Sequence, residues 1–131
     1  MITLSVIIPV YNSKATLGRA VMSVVKEPQV SEILIVDDGS GDGSFQIAED
    51  LSGKYAKIRL LRHPNRENKG AAASRNLGLL HATSDWIQFL DADDELISGR
   101  LTGLLDNIDS EAGFIVGNSI HVFADGRKHY R

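Results

Sequence analysis

Ile33-Leu34-Ile35-Val36-Asp37-Asp38 runs four apolar residues straight into two carboxylates. A strand apolar on both faces belongs in the middle of a parallel sheet covered by helices on each side. Upstream, Ser5 to Val10 is a second short β-branched run, closed by the turn and cap cluster Tyr11-Asn12-Ser13. Leu17, Ala20, Val21 and Val24 then recur at helical spacing until Pro28 stops the helix. Downstream, Gly39-Ser40-Gly41-Asp42-Gly43-Ser44 can turn sharply, with Asp42 or Ser44 capping a helix marked by Ile47, Ala48 and Leu51. Ile58 to Leu61 is a third strand, followed by a polar loop from His63 to Gly70 and a helix from Ala71 to Leu80. Trp86 to Leu90 is a fourth strand, Leu101, Leu104, Leu105 and Ile108 mark another helix, and Phe114-Ile115-Val116 is a fifth strand. Ile120 to Phe123 with Ala124-Asp125-Gly126-Arg127 opens a hairpin at a sheet edge. This alternation predicts an α/β fold, a three-layer α/β/α sandwich around a mostly parallel, Rossmann-like sheet, with residues 1–131 as a single domain.

Composition narrows the function. With 131 residues the chain can bury a real core, and 43% hydrophobic with 24% charged residues is the balance of a soluble globular protein. A net charge of −3, with no Lys/Arg run, speaks against nucleic acid as a partner. The absence of cysteine excludes disulfides and thiolate metal ligands and fits a reducing compartment. Met1 to Pro9 has no basic leader or cleavage site, and its apolar stretch falls far short of the roughly 20 residues that span a bilayer. The expected location is cytoplasmic, with peripheral attachment at the inner face of the membrane as a variant.

In open parallel sheets, ligands bind at the carboxyl ends of the strands, near the switch in strand order. Trp86-Ile87-Gln88-Phe89-Leu90 empties there into Asp91-Ala92-Asp93-Asp94. Carboxylates this close at a strand end repel one another unless a cation or donor groups compensate. Asp91 and Asp93, one residue apart, can aim at one point, and oxygen ligands suit Mg2+ or Mn2+. Asp94 and Glu95 read instead as solvated residues in the first turn of the next helix. At the end of the second strand, Asp37 is expected to support the glycine loop and Asp38 to face a ligand. Gly39-x-Gly41-x-Gly43 is not the dinucleotide fingerprint and follows the wrong strand, so a nicotinamide or flavin enzyme is disfavoured. Tyr11 is either core or a ring packed against a base. Arg75, among the small residues Gly70-Ala71-Ala72-Ala73-Ser74, needs a partner, either a carboxylate such as Asp38 or a ligand phosphate. Those small residues also allow close helix–sheet packing. His63, His81, His121 and His129 lack metal-ligand spacing and read as surface or loop residues.

Ser5-Val6-Ile7-Ile8-Pro9-Val10-Tyr11-Asn12, Ile35-Val36-Asp37-Asp38-Gly39-Ser40, Asn68-Lys69-Gly70 with Ala73-Ser74-Arg75-Asn76, and Phe89-Leu90-Asp91-Ala92-Asp93-Asp94 stand in order across the chain. This set resembles the N-terminal, nucleotide-sugar-binding half of family 2 glycosyltransferases of the GT-A type. The resemblance implies Pro9, Tyr11 and Asp38 around the base, with Gly70 and Arg75 nearby. It makes Asp91-Ala92-Asp93 the DXD motif, with Asp91 toward the ribose and Asp93, with Asp91, toward a Mn2+ or Mg2+ ion. It implies inverting, metal-dependent transfer from a nucleotide-diphosphate sugar, by preference a UDP-sugar, to a hydroxyl of a glycan or lipid-linked acceptor, as in polysaccharide biosynthesis. The general base and the acceptor-binding half are expected beyond Arg131, so the chain would be a truncated, donor-binding part with weak activity or none. A homodimer is a further expectation. The alternatives are a nucleotidyltransferase-like enzyme and a non-catalytic nucleotide-binding module.

Overall fold

A computed structural model describes residues 2–106, 108, 120–122 and 125–130. Four strands, β1 (Leu4–Val10), β2 (Val30–Asp37), β3 (Ile58–Arg62) and β4 (Trp86–Phe89), form one sheet in the order β3-β2-β1-β4, every pair parallel. Helices α1 (Leu17–Val25), α2 (Ser44–Lys54) and α3 (Ala71–His81) make the crossovers, and a shorter α4 (Arg100–Leu105) follows β4.

The period-two alternation of the central strands sorts the helices into layers. Val6, Ile8 and Val10 of β1 and Ile33 and Ile35 of β2 pack with Leu17, Ala20, Val21 and Val24 of α1 and Ala48 of α2. Ile7, Leu34 and Val36 point the other way, to Leu77 of α3. Both faces of β1 and β2 are therefore dry, as the Ile33–Val36 run predicts. Leu101 of α4 joins the larger core, but the helix ends at Leu105, before Ile108.

The chain moves outward from β1 to β2 and β3, then returns to pair β4 on the other side of β1. The reversal opens a crevice beyond the carboxyl ends of β1 and β4. Two backbone bonds carry the ladders past the strand ends into it: Asp38 N–H to Val10 O (2.7 Å) and Leu90 N–H to Ile7 O (3.0 Å).

The hairpin expected after residue 120 is present as β5 (Ile120–Val122) antiparallel to β6 (Lys128–Tyr130), a separate two-stranded sheet rather than an edge of the main one. The strand expected at Phe114–Val116 lies outside the described residues. The acidic segment departs from expectation. Helix α4 starts only at Arg100, behind Gly99 at φ +76°, so Asp94 and Glu95 are not first-turn residues. A turn closed by Asp94 N–H on Asp91 O (3.0 Å) comes first, and Leu96 N–H then pins the segment to Ser23 Oγ of α1 (2.9 Å).

Candidate functional site

A cavity of about 1110 Å3 fills the crevice. Pro9, Tyr11, Asp38, Gly70, Arg75, Asp91, Ala92 and Asp93, scattered along most of the chain, all line it. The topology explains the convergence, because each residue sits at or just past the carboxyl end of a strand, or on the N-terminal turns of the helix behind.

The wall after β1 is tied to the loop after β2. Asn12, at φ +47°, donates its N–H to Ser40 Oγ (3.0 Å) and accepts from Gly41 N–H at Oδ1 (2.9 Å). Ser13 N–H donates to Ser44 Oγ (2.8 Å) and Lys14 N–H to Asp42 Oδ2 (3.0 Å). Asp42 Oδ1 in turn accepts from Ser44 N–H and from Ser44 Oγ. The Ser44 hydroxyl, and then the Ser44 and Lys14 amides, overcome its desolvation and hold the Asp42 carboxyl below the usual 3.8. The clasp leaves Tyr11 54% exposed at the rim, so its ring is not core. Lys14 of the same loop brings a second cation to the cavity wall, a residue that no motif in the sequence singles out.

Asp38, buried at 4% exposure, both lines the cavity and supports a loop. Its Oδ1 accepts from Lys69 N–H (2.6 Å) and its Oδ2 from Gly70 N–H (3.0 Å), fixing the loop that leads into α3. The roles expected of the aspartate pair are therefore redistributed. Asp37 is buried beside its register partner Arg62 on β3, and its Oδ1 has no hydrogen-bond partner among the described residues. Strand alternation accounts for this, since consecutive side chains must face opposite ways.

Arg75 finds its carboxylate in Asp91 rather than Asp38: Nη2 donates to Oδ1 at 2.9 Å. The pair crosses from α3 to the end of β4. Asp91, Asp93 and Asp94 are exposed, and one carboxylate oxygen from each lies within 4.8 Å of the others. Such a cluster of hard oxygen donors fits a divalent cation. Asp91 already receives the guanidinium through Oδ1, and Asp94 has interactions of its own, so neither of these two carboxylates is uncommitted.

His63 lies in the loop after β3, as expected, but it is not a surface residue. Only 6% exposed, its Nε2 stands 2.9 Å from Ser74 Oγ and 3.5 Å from Asp38 Oδ1. It follows a strand whose register puts it under the loop, and nothing in the local sequence marks that.

Among curated proteins, an uncharacterized glycosyltransferase of Haemophilus influenzae is 37% identical over 99 residues, covering 75% of this chain and 39% of that protein. The GalNAc(5)-diNAcBac-PP-undecaprenol beta-1,3-glucosyltransferase of Campylobacter jejuni is 31% identical over 118 residues, covering 89% of this chain and 38% of the relative. Among solved structures, S. aureus TarS 1-349 in complex with UDP-GlcNAc superposes with a TM-score of 0.70 at 27% identity, over 80% of this chain and 30% of that one. The chain thus spans well under half the length of these proteins. The sequence model of glycosyl transferase family 2 matches residues 5–131. With a parallel sheet shared with a GT-A glycosyltransferase and the family model matching nearly end to end, the chain belongs to glycosyl transferase family 2.

Proposed function

We propose that the cavity is the donor site of an inverting, metal-dependent glycosyltransferase and that it takes a UDP-sugar. The observation that carries this is the convergence of an exposed aromatic ring, a buried carboxylate, an arginine and a carboxylate cluster in one crevice at the reversal of strand order. The complex of TarS with UDP-GlcNAc supports the donor class.

In this reading the base lies between the Tyr11 ring and the Pro9–Val10 wall, with Asp38 accepting from its edge or from the ribose. Asp91, oriented by Arg75, accepts a ribose hydroxyl. Arg75 and Lys14 face the diphosphate, as does the start of α3 at Ala71, where a helix N-terminus favours an anion. Asp93 and Asp91, with Asp94 beside them, would hold Mn2+ or Mg2+. When bound, that ion would stabilise the charge growing on the departing nucleoside diphosphate. The C. jejuni relative's name supports a glycan or lipid-linked acceptor, and hence work at the cytoplasmic face of a membrane. Among the described residues no helix is long and apolar enough to cross one.

Titration calorimetry with UDP tests the reading. Binding should tighten at least roughly tenfold, or about 1.4 kcal/mol, when Mn2+ is added. Absent or metal-independent binding would overturn it.

A further inference from the structure

The donor-site reading gives His63 no role, yet its imidazole is buried directly behind the cavity wall. It follows β3, and its Nε2 touches two elements at once: Ser74 Oγ of α3 at 2.9 Å and Asp38 Oδ1, past the end of β2, at 3.5 Å. Ser74 is fully buried and immediately precedes Arg75. Asp38 Oδ1 also accepts from Lys69 N–H. The imidazole thus stands where three pieces of the site meet: the carboxylate after β2, the loop into α3, and the turn of α3 that presents the arginine. The contact leaves little slack. Gly39 sits at φ +76°, and a Cβ there would lie 3.0 Å from both Arg66 O and Asn68 N, so the loop rests on the β2 end at backbone distance.

A bare Nε2 would turn its lone pair toward a carboxylate oxygen, whereas an Nε2–H donates to Ser74 Oγ and presents its positive edge to Asp38. We propose that His63 is a positioning residue of the donor pocket: as the Nε2–H tautomer it couples Asp38 to α3 and sets where the Asn68–Gly70 loop and Arg75 meet a nucleoside diphosphate. The ligand in this statement rests on the donor-site reading. The latch itself belongs to the ligand-free chain, so the two can fail separately.

Amide exchange on the isotope-labelled, ligand-free chain tests the latch. In His63→Leu, which fills the space without a donor, the Lys69 and Gly70 amides should exchange at least roughly tenfold faster, while those of Ile8 and Ile35 in the sheet hold. His63→Gln, which keeps a donor near the Nε2 position, should recover most of the protection. The wild-type imidazole should show a protonated Nε2 and a bare Nδ1 in its nitrogen spectrum. UDP with Mn2+ should bind His63→Leu roughly tenfold more weakly than wild type, with His63→Gln intermediate. Unchanged exchange at Lys69 and Gly70, an Nδ1–H tautomer, or undiminished UDP affinity in His63→Leu would each overturn the proposal. Should His63→Leu fail to fold, the wild-type tautomer and the His63→Gln exchange pattern still decide it. A wild-type chain that ignores UDP would sink the donor reading, while the exchange data would still judge the latch.

Discussion

Two exposed residues separate recognition from metal dependence. Asp93 lies on the surface beside Asp91 and Asp94, so its removal costs little packing. Asp93→Ala should abolish the effect of Mn2+ on UDP binding and leave the far-ultraviolet circular dichroism intact; loss of the fold would instead assign it a structural role. Tyr11 stands clear of the core at the rim. Tyr11→Ala should weaken UDP with or without metal, by about 1 kcal/mol or roughly fivefold, as expected for loss of one aromatic stacking partner. The carboxylates were legible in the sequence because their types and strand-end positions are local facts, whereas the sequence left Tyr11 open between core and rim. The partner of Arg75 was not legible: the sequence offered a carboxylate such as Asp38 or a ligand phosphate, and only the placed strands bring Asp91 to it.

At the scale of elements, α3 determines how the site is held. It presents Arg75 to Asp91 and Ser74 to His63, and it can do so only because it lies close on β1. Gly78 is the contact point: a Cβ there would stand 2.5 Å from Cγ2 of the fully buried Ile7. Alanine gains about 1 kcal/mol over glycine in helix propensity, but forcing a methyl into a closed core costs about 1–3 kcal/mol. Ile7 is β-branched and walled in on all sides, so the steric term should win. Gly78→Ala is expected to lose up to about 2 kcal/mol in urea unfolding and, by lifting α3, to weaken UDP binding as well. An increase in stability would show that α3 can slide. The sequence stretch Ala71-Ala72-Ala73-Ser74 pointed to such close packing, while the depth of the contact at Gly78 required the helix to be placed.

Across the whole molecule the two ends of the sheet do different work. The carboxyl rim carries the proposed donor site; the amino rim is held by one carboxylate. Glu32 accepts from Ser5 Oγ on β1, Arg59 Nη1 on β3, and Thr83 N–H and Oγ1 just ahead of β4. Burial alone would raise its pKa, but these hydrogen bonds outweigh that and hold it below the usual 4.5. A carboxyl with a lowered folded-state pKa stabilises fully above its unfolded value and loses that contribution as the pH falls through the folded one. Glu32→Gln should therefore cost about 1–3 kcal/mol at neutral pH, with the gap to wild type closing below about pH 4.5. UDP affinity should not change, because the rim it touches is the opposite one; a parallel loss of affinity would refute this division. Taken by itself, the sequence determined the order and type of the main strands and helices, the parallel sheet, and the acidic ends of β2 and β4, since hydrophobic period and strand-end chemistry are written within a few residues. Only the tertiary structure decided that Asp37 is buried beside Arg62 while Asp38 holds the loop into α3, that Arg75 meets Asp91, and that His63 is buried beneath the wall. Those facts depend on strand register and on contacts between segments up to dozens of residues apart, where no local pattern reaches.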